Sequence, residues 1–279
     1  MPSPDIFDRS ARRHRRDRAA THYAGYDFLR AAMLEGIADR LDSVKRTFHD
    51  VLDLGCFDAS FVAPPGARVA RFDPGFAFAR AADGVQGDED RLPFADQAFD
   101  LVVAAGTLDS VGDLPGALTL IRRTLRPDGL FLGAFVGGNS LSTLRAVLRE
   151  AEEDRPVARL HPQVDLRSAG DLLMRAGLTL PVADGETLTV RYASFGRLLD
   201  DLRGMAGSNT LESRYPLRRD VLARADAAFA ARAAPDGRTE ERFDLIFLTG
   251  WSPSPDQPQP ARRGSASASL AAALRPSDG

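Results

Sequence analysis

The sequence predicts an α/β fold in which a mostly parallel β-sheet carries helices on both faces. Three apolar runs predict it. The run 51–54 leads into a sharp turn at Gly55, as the first strand of a nucleotide-binding sheet does. The runs 99–104 and 130–135 are apolar almost throughout, which is typical of strands that helices cover on both faces.

The composition is that of a soluble protein with a sizeable core. Hydrophobic residues make up 44% of the 279 residues and charged residues 27%. The formal net charge of -3 argues against a protein whose whole surface binds nucleic acid. Cys56 is the only cysteine, so an intramolecular disulfide is excluded and a reducing compartment is favoured. No run is long and apolar enough to span a bilayer, and no secretory signal is evident. We therefore predict a cytoplasmic bacterial protein.

The pattern divides the chain into three parts. Residues 1–48 are predicted as a helical N-terminal extension with a basic arm, and residues 49–251 as the α/β domain. Residues 252–279 are rich in Pro, Ser, Ala and Arg, which predicts a flexible tail.

The N-terminal extension contains two helical patterns. Arg9, Arg12, Arg13 and Arg16 recur at the spacing of one helix face. Two interpretations stay open: a solvated helix face paired with nearby acids, or an arm that docks on an acidic partner or, peripherally, on the inner membrane. Apolar residues then recur with helical spacing over 28–44, which predicts an amphipathic packing helix.

Two strands follow, at 50–54 and 68–73, and the second ends in Asp73. The spacing from Asp53 to Asp73 is about that between a cofactor turn and the acid that binds ribose hydroxyls. A carboxylate suits that task because it accepts hydrogen bonds from both vicinal hydroxyls.

An acidic passage comes before the next strand. Asp88 and Glu89 precede Leu92-Pro93-Phe94, and the strand 99–104 follows. The alternative to a ligand site here is an acidic surface loop before a buried strand.

Helices and strands alternate through the rest of the chain. Asp113 is a natural N-cap with Pro115 in the first helical turn, and Arg-Pro-Asp-Gly at 126–129 ends that helix. Further helices are predicted at 141–153, 168–176, 195–205 and 217–233, and further strands at 187–192 and 243–248.

These motifs resemble those of class I S-adenosylmethionine (SAM) methyltransferases, whose sheet has seven strands. The resemblance rests on Asp53-Leu54-Gly55-Cys56, on the acid, Leu-Pro-Phe and Phe-Asp-Leu-Val-Val passage, and on Leu-Arg-Pro-Asp-Gly at 125–129. More narrowly, the chain resembles the mitochondrial complex I assembly factor 5 family and its bacterial relatives. Ile6-Phe7-Asp8-Arg9, Leu202-Arg203-Gly204-Met205 with Ser208-Asn209, and Gly250-Trp251 carry that likeness nearly end to end.

The resemblance implies a SAM site at the carboxyl ends of the strands. Asp53 and Gly55 would shape the turn, Asp73 would hold the ribose, and Asp88 would accept a hydrogen bond from the adenine amino group. Glu89 would offer its backbone amide to the ring. Phe57, at a position where the family usually has glycine, and Ala105, at the end of the strand after the acidic passage, complete the predicted cofactor residues.

The resemblance also implies a role in assembly of respiratory complex I, in which mitochondrial members are linked to hydroxylation of an arginine. A complex I subunit or another protein substrate is therefore the predicted partner, and the basic arm and the 204–209 turn are predicted contact regions. Asp109 is a candidate base in a segment, 107–112, that lacks the histidine common in relatives. The four histidines are scattered, so the sequence predicts no metal site.

Three functions stay open at this point. The first is SAM-dependent modification of a protein side chain. The second is a non-catalytic assembly chaperone, which Phe57 favours because glycine there lets the backbone pass close to a ligand. The third is O-methylation of a small molecule or carrier protein. A dehydrogenase on the same topology fits the Leu-Pro-Phe passage less well.

Overall fold

The computed structural model describes residues 5–152 and 157–257. Eight α-helices lie in those ranges, and short 3₁₀ turns connect some of them. The helices are α1 (Arg9–Ala20), α2 (Phe28–Asp42), α3 (Phe76–Ala81), α4 (Leu114–Thr124), α5 (Ser142–Ala151), α6 (Leu166–Arg175), α7 (Phe195–Gly204) and α8 (Arg219–Ala230).

One seven-stranded sheet organises the described chain, in the order β3-β2-β1-β4-β5-β7-β6. Its strands are β1 (Asp50–Leu54), β2 (Arg68–Asp73), β3 (Val85–Gln86), β4 (Phe99–Ala105), β5 (Leu125–Gly137), β6 (Thr179–Tyr192) and β7 (Thr239–Trp251). The first five strands are parallel, and β7 runs antiparallel to both β5 and β6. The predicted mostly parallel seven-stranded sheet is confirmed.

Each face of the sheet has its own hydrophobic core. Successive strand residues point to opposite faces, so Val51 belongs to one core and Leu52 to the other. On the first face α2, α5, α7 and α8 cover the strands, and α4 and α6 cover the second face. The arrangement leaves the carboxyl ends of the parallel strands as the open edge, which is where ligands bind in such sheets.

The basic helix α1 lies over that edge rather than apart from the domain. Asp8 caps it by accepting a hydrogen bond from the backbone N–H of Ala11 at 2.9 Å. Asp8 also pairs with Arg214 at 2.6 Å, and Phe7 forms an antiparallel bridge with Leu211. The chain before α1 is thereby tied to a segment some two hundred residues later.

The strand β6 begins at Thr179, eight residues before the predicted strand at 187–192. The prediction missed 179–186 because that stretch contains Pro181, Asp184 and Gly185, which are depleted in strands. An edge strand tolerates proline, and β6 is an edge with a register shift between Thr179 and Val182. Elsewhere the predicted strand 50–54 and the N-cap at Asp113 agree with the structure.

Residues 252–257 continue from β7 and contact the turn at the start of β5. The backbone N–H of Ser252 donates to the Gly129 carbonyl at 2.8 Å, and the Gln257 amide donates to Asp128 at 3.0 Å. The rest of the predicted flexible tail lies outside the described residues. Within the two described ranges, none of the helices has the length and apolar character needed to cross a membrane.

Candidate functional site

The turn after β1 keeps a glycine-type backbone at positions that are not glycine. Gly55 has φ +71°, and a Cβ there would lie 2.4 Å from the Cβ of Thr107. Phe57 and Ala59 also adopt positive φ, at +46° and +59°. A left-handed conformation costs a non-glycine residue about 1–2 kcal/mol. The turn therefore adopts a backbone that favours glycine at three positions, and it is strained at the two that carry other residues.

The Phe57 ring fills the space beside this turn. It stacks on Tyr23, with the ring centroids 5.0 Å apart, and it contacts Phe78 edge-on. The guanidinium carbon of Arg16 lies 3.9 Å from the Phe57 ring centroid. A Cβ added to Gly106 at the end of β4 would lie 3.8 Å from the ring edge. The ring therefore extends from the β1 turn towards the end of β4.

Asp73 lies at the carboxyl end of β2, as predicted, and is fully buried. Its carboxylate accepts hydrogen bonds from the backbone N–H groups of Gly75 at 2.7 Å and Phe57 at 3.0 Å. Arg16 donates a third at 2.8 Å. Burial raises the pKa of Asp73, although these donors and the Arg16 charge oppose that effect.

Four arginines of α1 pair with three of the predicted cofactor acids and with Asp90, and Arg9 also lies 3.5 Å from Asp88. The helical spacing of the arginines matches the spacing of the carboxylates at the ends of β2 and β3. The pairs are Arg16–Asp73 at 2.8 Å, Arg13–Asp88 at 2.7 Å, Arg12–Glu89 at 2.5 Å and Arg9–Asp90 at 2.5 Å. We call this set the arginine ladder.

The Arg12–Glu89 pair is the most enclosed part of the ladder. Both guanidinium NH₂ groups bind the Glu89 carboxylate, and Thr107 donates its hydroxyl to the same group. Burial disfavours ionisation, but the charge and hydrogen bonds of Arg12 outweigh it and lower the pKa of Glu89. Glu89 thus stays an anion, with its side chain turned to α1.

The arginine ladder shows what the basic arm contacts in this structure, which the sequence left open between nearby acids and an external partner. Arg12 is 5% exposed and Arg16 3%, so these two arginines pair with nearby acids away from solvent, whereas the other two arginines of the ladder stay partly exposed. Neither Arg12 nor Arg16 is on the surface in this conformation. Sequence reasoning did not connect the arm with the cofactor acids. The available signal was the match between four arginines at helical spacing and the consecutive acids Asp88, Glu89 and Asp90.

Asp53 and Arg30 form a second buried pair, and this one is incompletely bonded. Asp53 is fully buried on β1, and neither of its carboxylate oxygens has a hydrogen-bond partner. An Arg30 NH₂ nitrogen lies 3.6 Å from it, and that nitrogen and Nε of Arg30 also lack partners. Burial is the main reason why the pKa of Asp53 rises to about 6. Unsatisfied buried donors and acceptors are rare in proteins, and those of Asp53 and Arg30 are available to a ligand or to water.

Substitution Asp53→Asn is expected to stabilise the protein at neutral pH, because Arg30 would keep a carboxylate partner in Asp58, 3.2 Å away. The folded-state pKa of about 6 exceeds the unfolded value of 3.8, so this group favours folding at low pH and opposes it as the pH rises through 6. Removing the charge should raise the free energy of unfolding at pH 7.5 by up to about 3 kcal/mol.

Urea unfolding at pH 4.5 and pH 7.5 measures the effect of this substitution. Asp50→Asn is the matched control, because Arg126 and Arg68 lower the pKa of Asp50 and its effect should have the opposite sign. A loss of stability at pH 7.5 for Asp53→Asn would contradict the prediction.

A cavity of about 620 Å³ lies beside the Phe57 ring. Gly106, the residue after Ala105, lines it, whereas Ala105 itself is buried in the core. Asp109 also lines it, and burial raises the pKa of Asp109. The structure thus brings Asp53, Gly55, Phe57 and Asp73 together, whereas Asp73, Asp88 and Glu89 do not line the cavity.

Comparison with known proteins places the chain in a family with this fold. The methyltransferase domain family matches residues 52–133. The mitochondrial arginine-hydroxylase NDUFAF5 of Danio rerio is 34% identical over 285 residues, which cover 96% of this chain and 89% of that protein. The chain belongs to the NDUFAF5 family.

More distant proteins extend the likeness beyond the NDUFAF5 family. A malonyl-[acyl-carrier protein] O-methyltransferase of Halorhodospira halophila is 30% identical over 266 residues, or 88% of each chain. The solved structure of a SAM-dependent methyltransferase from Thermotoga maritima covers 86% of this chain and 99% of its own, at 15% identity and a TM-score of 0.51. The class I SAM methyltransferase fold and the resemblance predicted from the sequence are confirmed.

Proposed function

We propose that the chain binds SAM and modifies a protein side chain during assembly of respiratory complex I. The Asp53–Arg30 pair is the observation that carries the proposal. The methionine end of SAM has an ammonium and a carboxylate. The free oxygens of Asp53 would accept from the ammonium, and the free nitrogens of Arg30 would donate to the carboxylate. When bound, SAM supplies a methyl group on a sulfonium leaving group.

The adenosine end of the site fits once α1 withdraws. Asp73 lies where a ribose acid belongs, and Asp88 and Glu89 follow β3. Each of these carboxylates is held by an arginine of the ladder. In this proposal the conformation described is a closed form, in which Arg16 and Arg13 donate to the Asp73 and Asp88 carboxylates that the ribose and adenine would use.

The acceptor side chain would enter the cavity beside Gly106. Asp109 is the only carboxylate among the described residues that line the cavity. A guanidinium there would pair with Asp109, which agrees with the arginine-hydroxylase name of the relatives. Asp109 would hold and orient that side chain, and its raised pKa suits a group that exchanges a proton with the substrate.

A second candidate is a non-catalytic assembly chaperone. The Phe57 ring favours it, because the ring lies between Arg16 and Tyr23 in the space beside the cofactor turn. SAM would have to displace this ring as well as α1. The two candidates differ in whether the unmodified chain binds SAM.

Calorimetric titration with SAM tests the proposal on the full chain. Arg16→Ala frees Asp73 and should tighten SAM binding at least about tenfold, which corresponds to one hydrogen-bonded charge. Arg18→Ala is the matched control, since Arg18 is an exposed arginine on the same helix. Asp53→Asn should abolish binding while stabilising the fold. No heat with millimolar SAM for the unmodified chain, Arg16→Ala or Phe57→Gly would reject the enzyme in favour of the chaperone.

A further inference from the structure

The cavity beside Gly106 has apolar and basic walls. Half-buried apolar side chains line one part of it, among them Leu141, Leu199 and Met205, and they pack on the core beneath. Arg15, Arg203 and Arg214 line another part. A ligand that fits both walls has an apolar body and an anionic end.

Arg15 gives the basic wall its excess charge. Its Nε donates to the Asn209 carbonyl at 3.1 Å, and no carboxylate within the described ranges pairs with it. Burial lowers the pKa of Arg15, and the nearby positive charges of Arg214, Arg18 and Arg203 lower it further. A half-buried cation among other cations is a position that an anion would stabilise.

The other two arginines of this wall already have partners. Arg203 pairs with Asp200 at 2.9 Å, and Arg214 pairs with Asp8 at 2.6 Å. Arg203 and Arg214 contribute positive electrostatic potential and packing contacts. Arg15 contributes hydrogen-bond donors that have no partner within the described ranges. Its guanidinium offers the planar fork that binds carboxylate and phosphate oxygens.

We propose that the cavity binds an anionic amphiphile with a carboxylate or phosphate head on a single acyl chain. The head lies against Arg15 and the chain lies along the apolar wall. The volume of about 620 Å³ is within the range of small-molecule sites. A cationic head group at Arg15 would meet an unscreened like charge, whereas the acceptor guanidinium proposed above would lie at Asp109. A neutral head group would leave the Arg15 donors unpaired.

This inference goes beyond the proposed function and does not depend on SAM. The two proposals can therefore fail separately, because one is tested with the cofactor and the other with amphiphiles alone. Arg15 belongs to α1 but not to the arginine ladder, so its substitution leaves the cofactor acids paired.

Calorimetric titration of the full chain with dodecanoate, dodecanol and dodecyltrimethylammonium tests the head-group charge. Dodecanoate should bind at least about tenfold more tightly than either of the other probes, the factor expected for one charge-assisted hydrogen bond. Binding should weaken as salt is added. No binding of dodecanoate, or equal affinity for all three probes, would overturn the inference.

Variants at Arg15 locate the head group. Arg15→Gln should weaken dodecanoate binding about tenfold, and Arg15→Lys should retain most of it because the charge is kept. Arg18→Gln is the control, with the same change of charge on the same helix outside the cavity lining. Unchanged melting temperatures establish that the variants fold. Equal affinities for Arg15→Gln and Arg18→Gln would reject Arg15 as the anion site.

Vesicles identify the source of the head group. Co-sedimentation with phosphatidylglycerol vesicles, absent with phosphatidylcholine and lost in Arg15→Gln, would assign the ligand to a lipid. Dodecanoate binding without co-sedimentation would assign it to a free acyl anion. Both results support the inference, and they separate a membrane-associated protein from one that carries a soluble ligand.

Discussion

Substitution Phe57→Gly is expected to convert a closed cofactor turn into one that binds SAM more tightly than the parent chain. Glycine adopts φ +46° without steric cost, and removal of the ring clears the space between Arg16 and the end of β4. Arg16 also loses the aromatic face on which it lies, which weakens the hold of α1. We expect a gain in SAM affinity of at least about tenfold, because the cation–π contact that holds Arg16 over the ring in the closed form is lost.

The same substitution should lower the free energy of unfolding without SAM. Loss of a buried phenyl group lowers the free energy of unfolding by about 3–5 kcal/mol. Relief of the left-handed backbone strain raises it by about 1–2 kcal/mol, so a net loss is expected. Urea unfolding and SAM titration measure the two effects together. Phe78→Leu is the control, because it disturbs the same aromatic cluster without opening the turn. A folded Phe57→Gly variant with no gain in affinity would reject the ring as the barrier.

Substitution Arg12→Met should destabilise the protein by about 3–5 kcal/mol, the usual cost of leaving one buried charge without its partner. Glu89 is fully buried and would keep only the Thr107 hydroxyl among its side-chain partners. The measurement is urea unfolding at pH 7.5, where Glu89 is ionised in the parent because Arg12 lowers its pKa.

The double variant Arg12→Met, Glu89→Met completes the cycle. Two apolar side chains of similar length should recover most of the lost free energy of unfolding. Replacing both partners of a buried ion pair often leaves stability almost unchanged. Arg9→Met is the matched single variant, because Arg9 is the more exposed arginine of the two. It should lower the free energy of unfolding by less than Arg12→Met does. A loss below about 1 kcal/mol for Arg12→Met would mean that α1 behaves as a solvated surface helix.

The sheet could be predicted because its signals are local. Strand β2 ends at Asp73 as predicted, and Asp113 caps α4 through the backbone N–H of Gly116. Both features depend on a few residues that are close together in the sequence. The early start of β6 escaped prediction because pairing with β7 overrides the low strand propensity of Pro181 and Gly185.

The site could be predicted only in part. The positions of Asp53, Gly55 and Asp73 follow from strand ends, which the sequence marks. The arginine ladder joins side chains 57 to 81 residues apart, and no local pattern fixes such pairs. The unbonded state of Arg30 and Asp53 depends on what surrounds them in space. SAM binding, the protein substrate and the cytoplasmic location remain predictions.

The separation along the sequence between α1 and its partners affects when α1 can dock during folding. Arg16 and Asp73 are separated by 57 residues, Arg9 and Asp90 by 81, and Asp8 and Arg214 by 206. Closing such long loops costs entropy before the contacts form, so distant contacts form late in folding. We therefore expect α1 to dock late in folding. Until the segments 73–90 and 209–214 have folded against it, the arginines of α1 are expected to lack these partners.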